Sequence, residues 1–167
     1  MDLQNNTPSE GQPKPLSGPE IYQRMRERAL NVRSRQLGLS PEPYEPYGVV
    51  MELGILKGGT ATFIAMAEGS VSAYFSNGGG RIGCGGVESV RAAGLEFVSA
   101  ARDYVSMMEP AHSYPLPGPG RARFYVLTSE GVFTFEDDHE DLGYNRSPIS
   151  PLFHAGDRMI TEIRRTS

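Results

Sequence analysis

The sequence predicts an α+β domain: a five-stranded, mostly antiparallel sheet built as three strands, a helix, two strands and a closing helix, with one more helix ahead of it. Three observations carry this expectation. Apolar and polar residues alternate in two groups of short runs, residues 48–75 and 121–136, and glycine-bearing turns separate the runs. Between the groups, Val87, Val90, Gly94, Phe97, Ala101, Tyr104 and Met108 recur at alternating spacings of three and four, the stripe of an amphipathic helix. A second such stripe, Leu152, Gly156, Met159 and Ile163, follows Ser150-Pro151. Strands joined by tight turns pair antiparallel, and helices between the groups bury their stripes on the sheet.

Composition bounds the rest. A chain of 167 residues, 38% hydrophobic and 22% charged, suits one domain rather than two. Its net charge of -4 and pI near 5.4 argue against nucleic acid as a partner, because that affinity comes from Lys and Arg neutralising phosphates. One cysteine, Cys84, can form neither an internal disulfide nor a cysteine-type zinc site, and fits a reducing compartment. No apolar run reaches membrane-spanning length and the first residues lack the pattern of a signal peptide, so the expectation is a cytoplasmic protein with no membrane partner.

In chain order, residues 1–16 are polar and proline-bearing and read as a disordered tail. Ser17-Gly-Pro-Glu20 has capping-box spacing and predicts a helix from Pro19 to Leu37, closed by Gly38, within an N-terminal unit of residues 17–38. Its expected buried stripe is Ile21, Met25, Ala29 and Val32. Five arginines (24, 26, 28, 33, 35) occupy the remainder, either as a solvated face or as a docking surface for an acidic partner. Residues 39–46 hold three prolines and form a linker; the PxxP spacing of Pro43 and Pro46 is too short a pattern to carry weight. The α+β domain proper spans 47–167.

Its first strand runs from Gly48 to Leu56, with Val49, Met51, Leu53 and Ile55 on one face and Val50, Glu52, Gly54 and Leu56 on the other. Lys57-Gly58-Gly59 is a hairpin turn, Thr60 to Glu68 the second strand, Gly69-Ser70 a two-residue turn, and Val71 to Phe75 the third. The long helix follows, ending at Pro110. Arg121 to Thr128 and Val132 to Glu136 form a second hairpin, Asp137 to Asp141 an acidic loop, and Ser150 caps a final helix to about Arg165 whose Arg164 and Arg165 complement its dipole. This order of elements resembles that of profilin-like, longin-like and roadblock-like folds, which often act as binding or dimerisation platforms. The resemblance is of element order alone, so it carries no functional residues with it.

The segment linking the third strand to the long helix holds six of the chain's 20 glycines. Glycine-rich strand-to-helix links can cradle an anion on backbone N–H groups, which makes Asn77, Gly78, Gly79, Gly80, Arg81, Gly83, Cys84, Gly85 and Gly86 the candidate ligand- or partner-binding residues. The Lys-Ser or Lys-Thr pair of a phosphate loop is missing, and Arg81 is the one counter-charge. Cys84 near a helix start could be a nucleophile if one of His112, His139 or His154 served it as base; a small residue in a tight turn is the simpler reading. The acidic run 136–141 lacks the ligand alternation and glycine of a calcium loop. No catalytic set, metal or cofactor is therefore expected. The function expected is a non-catalytic interaction or regulatory module that binds another protein or itself. The alternative is a protein or enzyme that binds a small anion or nucleotide through residues 77–86.

Overall fold

A computed structural model describes residues 14–166. Of the expected tail, residues 1–13 lie outside this range, and 14–16 have no regular structure. The elements are helix α1 (Gly18–Asn31), strands β1 (Gly48–Gly54), β2 (Thr60–Met66), β3 (Val71–Phe75) and β4 (Gly80–Arg81), helix α2 (Glu88–Ala101), strands β5 (Glu109–Pro110), β6 (Arg121–Thr128) and β7 (Gly131–Asp138), and helices α3 (His139–Gly143) and α4 (Ser150–Arg165). They form one open antiparallel sheet in the order β4-β3-β2-β1-β6-β7-β5. The five expected strands make its centre. Sequence patterning does not find β4 and β5 because each is two residues long, placed only by pairing with a longer neighbour.

Both faces of the sheet are covered. On one face, Val49, Met51, Phe63, Phe124 and Val126 pack with Phe97 of α2 and Leu152, Met159 and Ile163 of α4. An added methyl on Gly94 of α2 would stand 2.6 Å from Val71 Cγ2, so this glycine sets how closely the helix approaches the sheet. On the other face, Val50, Ile64, Tyr125 and Leu127 pack with Leu30 of α1, Tyr47 and side chains from the segments before β1 and after β5. This double burial explains why β2 is buried along its whole length.

Several boundaries differ from the sequence reading. Helix α1 begins as expected, the Ser17 hydroxyl accepting the Glu20 N–H at 3.3 Å, but it ends at Asn31. Residues Ser34–Leu37 form a separate 3-10 turn, and Gly38, at φ 72°, closes that turn rather than the helix. The buried residues of α1 are Tyr22 and Leu30; of the predicted stripe, Ala29 and Val32 pack partly buried against the same cluster, whereas Ile21 is exposed. Helix α2 stops at Ala101, because the chain must turn through a 3-10 segment at Val105–Met107 and straighten so that Glu109 pairs with Thr134. Pro110 therefore sits in an edge strand, where its missing N–H breaks no ladder, and is not a helix stop. The acidic run is no loop: Asp137 and Asp138 end β7 and the next three residues open α3. Ser150 starts α4 but does not cap it, its hydroxyl accepting the Ser147 N–H at 3.2 Å.

The start of α1 rests directly on the β3–β4 turn. A Cβ on Gly78, whose φ is 100°, would overlap the Gly18 backbone, and one on Gly18 would overlap the Asn77 carbonyl. Backbone cannot yield as a side-chain end can, so Gly78→Ala is expected to lower stability by about 1–3 kcal/mol and to expose α1 to proteases. Chemical denaturation with parallel limited proteolysis checks both effects.

Candidate functional site

A broad open groove of about 1380 Å3 lies on the α2–α4 side, at the end of the sheet where β1 passes to β2. Its floor is Leu53, Ala61, Phe63, Ala73 and Phe75 from three adjacent strands. One wall is the β1–β2 turn with Ile55, Leu56 and Lys57; the other is α4 with Asp157, Ile160, Ile163 and Arg164. Helix α3 and the residues flanking it close one end with Asp138, His139, Glu140, Asp141 and Tyr144. The floor is apolar because these strand residues alternate toward the helices; Ala61, Phe63 and Ala73 are buried there, and Leu53 and Phe75 keep surface that α4 does not cover. At the mouth, Leu56 is 81% and Tyr144 68% exposed, with Phe75 and Ile55 also exposed.

Charge around the groove is uneven. Carboxylates of Asp137, Asp138 and Asp141 gather within 4.8 Å of one another at the α3 end. Arg121 pairs with Asp138 at 3.1 Å and Arg146 with Asp141 at 2.8 Å, which leaves Glu140 and Asp157 without a salt bridge among the described residues. The pairing with Asp141 raises the Arg146 pKa. Arg81 lines the groove too, but its guanidinium donates to the carbonyls of Ile163 (2.9 Å) and Thr166 (3.3 Å), closing the C-terminus of α4.

The glycine-rich segment is spread over several contacts and does not line one site. Asn77 Oδ1 accepts the Gly79 N–H at 2.9 Å, Phe75 O accepts that of Gly78 at 2.8 Å, and Gly83 O accepts that of Gly86 at 3.1 Å, so these amides are engaged within the chain. Gly80 lies in β4, Gly83 (φ 73°) opens a 3-10 turn over Cys84–Gly86, and Gly85 abuts the Gly69 backbone. Cys84 is buried, its sulfur 3.5 Å from the Arg81 carbonyl, and no histidine is hydrogen-bonded to it. His139 lines the groove and stacks edge-on with Phe153, His154 bonds Asn145 Oδ1 at 2.7 Å, and His112 is exposed.

A second polar centre lies on the opposite face. Glu52 is fully buried in β1; Arg26 of α1 meets its carboxylate through Nε (2.9 and 3.1 Å) and Nη2 (2.7 Å). Thr62 donates to Glu52 Oε2 at 2.7 Å, and the Tyr22 hydroxyl lies 2.7 Å from Thr62 Oγ1 and 3.3 Å from Glu52. Arg26 Nη2 also donates to the Tyr114 carbonyl at 2.8 Å, and Tyr125 to that of Pro115 at 2.6 Å. Burial alone would lower the Arg26 pKa, and Glu52 more than reverses this. This cluster holds α1, the sheet and the proline segment together. The acidic partner that the arginine-rich helix suggested is, for Arg26, internal; Arg24, Arg28, Arg33 and Arg35 are exposed. The sequence signal was available: a glutamate between Val49 and Leu53 in a run apolar on both faces needs a buried cation.

No protein family model, curated protein or solved structure matches this chain. Among the described residues no helix is long and apolar enough to cross a membrane.

Proposed function

We propose that this chain is a non-catalytic binding module that docks an amphipathic helix of another protein in the groove between the β1–β2 turn, α3 and α4. The observation that carries this reading is the groove's size joined to its lining. Sites for small ligands occupy about 300–1,000 Å3 and enclose most of the ligand. This groove is larger at about 1380 Å3, open, and floored by apolar side chains from three strands. A helix laid in such a groove inserts residues at i, i+3 or i+4 and i+7; Glu140 and Asp157 favour Lys or Arg on its flanks, and Lys57 and Arg164, which likewise form no salt bridge among the described residues, favour Asp or Glu there. Arg81 and His139 share the groove, whereas Cys84 lies outside it, so a Cys84–histidine pair does not converge there. Pairing of copies through the sheet edges is less well supported: each edge strand offers two residues, and one of them is Pro110.

Selection of displayed 16-residue peptides against the intact chain tests the proposal. Enriched peptides should be amphipathic, with charged residues of both signs flanking the apolar stripe, and Leu56→Asp should weaken their binding about tenfold or more. Because Leu56 is 81% exposed, that variant should keep the parent's melting temperature. Failure to enrich, or peptides indifferent to Leu56→Asp, would overturn it.

A further inference from the structure

We infer that a separate pocket, between residues 42–45 and the chain following α2, binds a weakly hydrated organic cation of the quaternary ammonium class. The pocket has about 660 Å3, within the range of small-molecule sites, and lies outside the groove, so the inference stands or falls independently of it. Two aromatic rings form one side: Tyr44 and Phe133, with centroids 5.9 Å apart and planes inclined by 55°. Val105 and Met108 add apolar surface, and Glu42 and Glu45 supply two carboxylates. Aromatic faces beside carboxylates and apolar walls suit a cation that sheds its water cheaply, and quaternary ammonium does so more readily than a lysine ammonium.

The backbone gives independent support. Glu45 N–H donates to Glu42 O at 3.0 Å, closing a four-residue turn with Pro43 second and Tyr44 third. Tyr44 has φ 61°, and the third position of a turn with positive φ there ordinarily takes glycine. A half-exposed tyrosine at this place is conformationally costly, and what it gains is an aromatic face at the pocket rim. Arg102 is the one cation lining the pocket, pairing with Glu45 at 3.3 Å while being 64% exposed. So exposed a pair holds weakly and can be displaced.

Methyl NMR of the intact chain titrated with choline tests this against the neutral isostere 3,3-dimethylbutan-1-ol and against acetate. Choline should shift the Met108 and Val105 methyls saturably, at least about tenfold more tightly than the alcohol. Tyr44→Gly, which the turn geometry favours and which therefore keeps the fold, should abolish the response. Arg102→Ala should tighten choline binding about two- to fivefold by freeing Glu45 Oε1, while Oε2 continues to accept the Glu42 N–H at 2.9 Å. Absence of saturation, equal binding of the alcohol, binding of acetate in place of choline, or an unchanged response in Tyr44→Gly would each overturn the inference.

Discussion

Glu52→Ala should be the most destabilising single substitution outside the apolar core, costing about 3–5 kcal/mol in urea or thermal unfolding. It strands the Arg26 guanidinium, which the structure places against Glu52 at 2.7 Å with Arg26 only 11% exposed, and removes the acceptor for Thr62 and Tyr22. Arg26→Ala should cost a comparable amount by leaving Glu52 buried without its cation. The double replacement Arg26→Met, Glu52→Leu should recover most of the loss, because an apolar pair of similar volume needs no desolvated charge. Proteolysis between α1 and β1 separates two outcomes: cleavage there in the single variants and protection in the double would show that the cluster fastens the N-terminal helix. If Glu52→Ala unfolds like the parent, the cluster is not what holds α1.

Alkaline pH should act on the same place. Burial pushes the Tyr22 hydroxyl from its ordinary 10.0 up to about 12, with the Glu52 charge adding to the rise and Thr62 and Arg26 opposing it. Burial likewise pushes Tyr125 up to about 12. Both groups hold their protons more tightly folded than unfolded. Below pH 10 both states are protonated and the contribution is whole. Between about pH 10 and 12 the unfolded chain releases protons that the native state retains, so stability falls by up to about 1.4 kcal/mol per pH unit for each tyrosine. Unfolding curves taken at half-unit steps from pH 9 to 12, with tyrosinate absorbance recorded in parallel, should show this slope. Tyr22→Phe should remove its own share, which is less than half because burial also raises Tyr47 and adds to the slope. A slope unchanged in that variant would contradict the assignment.

The strands were legible because each carries a period of two and ends at a glycine whose turn is real: Gly58, Gly59, Gly69 and Gly131 all have positive φ. The stripes of α2 and α4 were legible for the same kind of reason, and Val90, Phe97, Leu152 and Met159 are buried as the spacing requires. Periodicity finds the end of the α1 face, Ala29 and Val32, but not its start, because it cannot see a buried carboxylate across the chain; Glu52 selects Tyr22 and Arg26 over Ile21 and Met25. The end of α2 was overrun because Tyr104 and Met108 continue the helical spacing after the backbone has turned toward β5. The groove was not legible at all. Leu53, Phe63, Phe75 and Ile160 come from four elements, and their convergence depends on how far α4 extends over the sheet.

The most direct test of the docking groove is methyl NMR of the intact chain with a peptide obtained by selection. The largest shifts should fall on Leu53, Leu56, Ala61 and Ile160, and Leu56→Asp should remove them together. Shifts centred instead on Ala29 and Val32 at the end of α1, or on Ile82 and Val87 of the glycine-rich segment, would contradict docking in the groove.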